Sequence, residues 1–320
     1  MISNEGAFEF RGQYRIQSRR TARPSSLRGA WSTDDNRIAG AVNRVLHEHP
    51  LRSPGRSVAL RTASIVERTG TFAMCPDVLY KRDLFVPDAG TPSLDTNIVD
   101  LDKANARWDD VSRTLAAVWH LGDTDILGAV GDPHAAIRLE YFAHEAGHLI
   151  GADVDEKAAA DYFRPDGRLR WALVYVEEVR ADLHALAIAA DAYSPAEARA
   201  VFHYHVATRF GMHHLRRGAD AAPFGLVPYL LFVALRELNL IDVVSVAGAD
   251  RFILTASCAD DVAAGMRACG SWAADRITCP ELDGESALDM ALASASYMRA
   301  CVDRADLVAV FTSVLGDGAR

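Results

Sequence analysis

The sequence predicts an α+β fold: a mixed N-terminal part with a small sheet, followed by a mainly helical part. Three observations carry this reading. Between residues 57 and 102, β-branched and aromatic residues gather in short runs separated by Gly, Pro and Asp. From Asp132 onward, apolar residues recur at helical spacing almost without interruption. The chain has 320 residues, half of them hydrophobic, which is enough to bury a sizeable core in one domain or in two lobes. The expected organisation is an irregular arm over 1–30, an α+β part over 31–130 and a mainly helical part over 131–320. The last two parts are also compatible with one continuous domain.

The elements follow in order. A helix begins after Ser32 or Thr33, either of which can cap it, with Asp34 and Asp35 suited to its first turn. Ile38, Val42, Val45 and Leu46 form its apolar stripe, and Pro50 ends it. Strands are expected within 57–66, 77–86 and 96–102. A helix over about 106–121 carries Trp108, Val111, Leu115, Val118 and Trp119 on one face. Asp132 is a good N-cap and Pro133 suits the first helical position, so the next helix runs from there to Ile150, with Gly151 as its stop. Further helices are expected near 174–190, 195–215, 224–239, 259–269, 285–302 and 304–315.

Charge and cysteine usage narrow the function. Net charge is −9, and the one basic stretch, within residues 11–28, is too small a footprint for phosphate-backbone binding. Nucleic acid is therefore not expected as a partner. The five cysteines (Cys75, Cys258, Cys269, Cys279 and Cys301) are odd in number and widely spaced, which suits free thiols in a reducing compartment. The first residues lack a signal-like apolar segment, and the most apolar run, 226–235, is too short to span a bilayer and contains Pro228. These features lead us to expect a soluble cytoplasmic protein with no membrane partner. The oligomeric state is left open.

The chemistry lies in His144-Glu145-Ala146-Gly147-His148, within the helix capped by Asp132. Residues four apart share a helix face, so both imidazoles can meet one ion. Glu145 lies about 100° round from His144, off the ion but within reach of a water on it. A second string, Glu177-Glu178-Val179-Arg180-Ala181-Asp182, follows downstream. On a helix, Glu178, Asp182, Ala185, Leu186 and Ala189 share a face, small enough to approach the His144 helix closely. A carboxylate on that face can be a third ligand. Asp182, one turn on, can accept the second ring N–H of a ligand histidine.

H-E-x-x-H followed by E-x-x-x-D resembles the gluzincin metallopeptidases. The doubled acid in residues 177–182 is similar to the E-E-x-R-A-D/E motif of the dipeptidyl peptidase III family. That family has one more residue between its histidines, and its members are longer. The resemblance implies a zincin-like helical part binding one Zn2+ through His144, His148 and Glu178. It implies Glu145 as the general base, with Asp182 and Glu177 as partners of the liganding histidines. The reaction implied is hydrolysis of an amide or peptide bond, in a small molecule or short peptide.

Such a reaction needs a second partner for the oxyanion. On a helical projection of 195–215, Phe202, Val206 and Phe210 mark the inward side, with His205 and His213 on or beside it and Tyr204 pointing outward. We therefore nominate His205 and His213 for substrate or transition-state contacts. His47, His49, His120, His134 and His184 are read as structural. Two other readings use the same residues. Glu140 with Glu145-x-x-His148 supplies half of a di-iron pattern, though no second Glu-x-x-His is present. A zinc lyase or cyclase would use the same ligands as a Lewis acid. A purely structural zinc would call for four ligands, commonly cysteines, and no cysteine lies near either string.

Overall fold

The structure is a computed structural model that describes residues 6–15, 21–75, 77–79, 84–120, 125–152, 154–164, 167, 171–215, 227–245, 252–257 and 262–278. The helices expected at 285–302 and 304–315, and Cys258, Cys279 and Cys301, lie outside these residues. The chain divides into two compact units: residues 1–41 with 58–108, and residues 42–57 with 109–320.

The first unit is built on a six-stranded mixed sheet. Its strands are β1 (Ala7–Arg15), β2 (Arg23–Trp31), β3 (Leu60–Arg68), β4 (Val78–Leu79), β5 (Leu84–Pro87) and β6 (Asn97–Asp100), in the order β4-β6-β3-β2-β1-β5. Only the β3–β6 pairing is parallel. The irregular arm expected over 1–30 is thus a correction: β1 and β2 pair antiparallel from Ala7↔Ala30 to Tyr14↔Arg23. The cause is a period-two pattern in which Phe8, Phe10 and Tyr14 alternate with Glu9, Arg11 and Gln13. Phe10 and Tyr14 enter a core with Leu27, Ala63, Phe72 and Ile98. Helix α1 (Asp35–Glu48) starts at Asp34, whose carbonyl accepts from Arg37 and Ile38, rather than behind a Ser32 or Thr33 cap. Asp35 is drawn away to the Thr62 amide and hydroxyl at 2.6 and 2.8 Å.

Helix α2 (Leu101–Val118) is capped by Asp100, which accepts from the amides of Asp102 and Lys103 at 3.0 and 3.1 Å and also pairs with Arg68. The second unit contains β7 (Trp119–His120), α3 (Ile126–Ala129), α4 (Pro133–Gly147), α5 (Val154–Ala159), α6 (Trp171–Ala192), α7 (Pro195–Leu215), α8 (Val227–Glu237), β8 (Ile241–Ser245), β9 (Phe252–Ala256) and α9 (Val262–Arg276). The three strands form a small sheet in the order β7-β9-β8, which helical periodicity did not foresee.

Helix α6 is the axis of this unit. It packs against α4, α7, α8 and α9, and from Val176 to Ala190 nearly every side chain is buried. A helix buried on all sides has no solvent face on which charge is cheap, so its acids and bases must find partners inside. No helix among the described residues is long and apolar enough to cross a membrane.

Candidate metal centre

Helix α4 begins as its sequence dictates. The Asp132 carboxylate accepts from the His134 amide at 3.0 Å, and Pro133 occupies the first turn. Its last turn carries His144, with His148 at the C-cap. The chain beyond is anchored: the Ser53 amide donates to the Leu149 carbonyl at 2.8 Å, and the Ser53 hydroxyl to the Gly151 carbonyl at 2.6 Å. α4 lies against α6 at Gly147, where a Cβ would sit 2.2 Å from the Ala181 carbonyl oxygen. Glycine at 147 is what lets the two motif-bearing segments approach this closely.

The result is a convergent donor set. The Nε2 atoms of His144 and His148 are 3.2 Å apart, and Glu178 Oε2 lies 3.6 Å from His144 Nε2. These three residues form a group able to hold a metal ion, their donor atoms all within 4.8 Å of one another. Two imidazole nitrogens on one tetrahedral zinc, each at 2.0–2.1 Å, would stand about 3.3 Å apart. The observed spacing fits that arrangement.

The outward nitrogens are equally well defined. His144 Nδ1 is 2.9 Å from Asp182 Oδ1, and His148 Nδ1 is 3.0 Å from Glu177 Oε1. Each ring therefore turns one nitrogen to a buried carboxylate and presents the other inward, an arrangement that sets the tautomer of a metal-ligating histidine. Glu145 follows His144 on α4 and is partly exposed.

Residues that sequence reasoning gave no role hold these carboxylates. Behind Glu177 stand two buried cations, Arg180 and Lys157: Arg180 Nε donates to Glu177 Oε2 at 2.9 Å, and Lys157 Nζ donates to the same oxygen. Behind Asp182 stands Arg209, whose Nε donates to Oδ2 at 2.7 Å. Burial alone would raise the pKa of Glu177, but Arg180, Lys157 and the hydrogen bond to His148 hold it well below the usual carboxylate range. Asp182 is likewise well below: burial is outweighed by Arg209, His205 and the His144 hydrogen bond. Glu178 is lowered too, against its burial, by the hydrogen bond to His144 and the charges of both histidines. All three are anionic where a cation would sit or be supported. The His144 pKa is raised well above its ordinary value, because Asp182 and Glu178 together outweigh burial. In the metal-free chain it carries a proton that a metal must displace.

His205 lies on the buried side of α7, where the helical projection put it. It is fully buried, with Nδ1 3.1 Å from Glu140 Oε1 and Nε2 3.5 Å from Asp182 Oδ2. It therefore stands behind Asp182 rather than beside a substrate. Tyr204, expected to point outward, is buried as well. α7 is buried on nearly every side here, so a projection with one inward face misplaces Tyr204. His213 lies on α7, but its side chain is outside the described residues.

Glu140, Asp182 and His205 form a second group with metal-ligand geometry. Arg209 already supplies the cation there, bonded to Asp182 and 3.8 Å from Glu140.

No family model matches the sequence, and no curated protein matches it. Among solved structures, the fold is similar to that of DPP III from Caldithrix abyssi, with a TM-score of 0.59 and 14% sequence identity. The match covers 94% of this chain and 60% of that one, so this chain spans well under two thirds of that protein's length.

Proposed function

We propose that this chain is a zinc-dependent hydrolase of an amide or peptide bond, acting on a small molecule or short peptide. The observation that carries the proposal is the pairing of roles on two histidines. Both Nε2 atoms converge with Glu178, while both Nδ1 atoms are held by carboxylates. The likeness to a DPP III fold is compatible with the same reading, and the resemblance of residues 177–182 to that family's E-E-x-R-A-D/E motif supports it separately.

Zinc suits this set of donors: two neutral imidazoles and one carboxylate leave a fourth position open. An ion bound there would act as a Lewis acid on a carbonyl and lower the pKa of a water beside it to about 7. The rest belongs to the protein. Asp182 and Glu177 orient the two rings through Nδ1, so that each ring turns Nε2 inward as the nitrogen a metal would take. Glu178 would bring a negative charge to a bound dication. Glu145 takes a proton from the attacking water and returns it to the departing amine.

Metal content per chain by mass spectrometry, on wild type and on Glu178→Ala purified without added metal, tests the site. About one zinc in wild type and loss in the variant is the expected result. Glu145→Gln should keep the metal while amide and peptide turnover disappears. Zinc retained without Glu178, two irons per chain, or full turnover without Glu145 would each overturn the proposal.

A further inference from the structure

The two histidines are supported differently. Asp182, behind His144, meets Arg209 on α7. Glu177, behind His148, meets two buried cations at once, and one of them does a second task. Arg180 NH2 donates to Glu177 Oε1 at 2.5 Å and to the His148 carbonyl at 3.1 Å. Its NH1 donates to the Gly147 carbonyl at 3.2 Å and to the Ile150 carbonyl. The side chain is completely buried.

Gly147 and His148 end α4 and Ile150 follows just beyond, at the helix terminus where the dipole favours a cation. His148 is the C-cap of that helix, so its backbone sits where a helix ordinarily frays. Lys157 already supplies Glu177 with a neutralising charge. A second cation on that carboxylate is not required for charge balance. What Arg180 adds is a planar fork that bonds the carboxylate holding the His148 ring and the carbonyls holding the His148 backbone. A lysine, with a single nitrogen, cannot span both.

We infer that Arg180 is a positioning residue for His148, fixing both ring and backbone so that Nε2 points at the metal. The inference rests on the three-ligand reading above. It predicts that the ion's hold, rather than the fold alone, depends on residue 180.

The test uses the full-length chain, loaded with zinc for release into a chelator and with cobalt(II) for its visible absorption. In Arg180→Lys and Arg180→Gln, Lys157 still neutralises Glu177, so neither variant strands a buried carboxylate. The expected result is zinc release at least about ten-fold faster than in wild type, with a changed cobalt band, in a chain that remains folded. In a His148→Ala background the added Arg180→Lys change should alter zinc affinity less than about two-fold, because the residue it acts through is gone. Wild-type release rates and an unchanged band in a folded variant would overturn the inference. So would an undiminished effect of Arg180→Lys in the His148→Ala background, or failure of both variants to fold even with excess zinc. Failure of the metal reading looks different, since wild type itself would then bind neither ion.

Discussion

Gly147 and Ala181 meet backbone to backbone: a Cβ at position 147 would sit 2.2 Å from the Ala181 carbonyl oxygen. The contact lies between the string that carries both histidines and the string that carries Glu177, Glu178 and Asp182. It sets the distance across which they cooperate.

Gly147→Ala should therefore be harmful although alanine is the better helix former. The propensity gain is about 1 kcal/mol at most. Overpacking against a neighbour costs about 1–3 kcal/mol, and a main-chain carbonyl cannot rotate away as a side chain can. The expected outcome is a lower melting temperature with zinc held more weakly, as α4 and α6 separate. A variant with wild-type stability and zinc content would show that the helices have slack.

Asp182→Asn tests the support behind His144. The amide still offers an oxygen to the ring N–H but no charge to Arg209, which is largely buried. Breaking a buried pair costs about 3–5 kcal/mol, and Glu140, 3.8 Å from Arg209, should hold the loss near the lower end. Zinc affinity should fall about 10–100-fold. Urea unfolding and chelator competition measure the two separately. Unchanged zinc affinity would remove Asp182 from the site.

The local strings were legible in the sequence because their geometry is helical arithmetic. His144 and His148 are four apart, Glu178 and Asp182 are four apart, and the Asp132 cap followed by Pro133 marked the start of the helix. Lys157 was not legible. Its meaning depends on a tertiary contact with Glu177 that no local pattern marks. Arg180 and Arg209 were visible as residues but not as partners, since a helix buried all round gives no amphipathic signal. The β1–β2 pairing was legible in principle, because Phe8, Phe10 and Tyr14 alternate. The charged residues between them gave the stretch the look of a solvated arm.

His205→Gln probes a support, not a substrate contact. The ring lies between Glu140 and Asp182, and its charge helps keep Asp182 ionised. We expect weaker zinc retention and reduced stability, with the KM of any substrate unchanged at saturating zinc. A raised KM with intact zinc binding would restore the substrate role that helical projection suggested.

Acid should weaken the chain well before its carboxylates titrate. His184 is fully buried, with Nε2 2.8 Å from Thr278 Oγ1. Burial first, then Arg180 and His49, hold its pKa well below the ordinary value. His203, buried beside Arg199, is pushed down to about 4. For both, the unfolded chain accepts a proton near pH 6.5 that the folded chain refuses. Stability therefore falls as pH drops below about 6.5, by about 1.4 kcal/mol per pH unit for each such histidine. His144 and His205, whose pKa values are raised, act in the other direction: their contribution is complete below about 6.5 and is lost only as pH rises through their folded values. They cannot offset the acid loss. Glu177 and Asp182, both depressed, add theirs only below about pH 4. Urea unfolding of the metal-free chain at pH 7, 6 and 5 should show this slope, to which His49, lowered by burial, adds, and His184→Gln should make it shallower while keeping a hydrogen bond to Thr278. Equal slopes in the two proteins would mean that His184 titrates normally in the folded state.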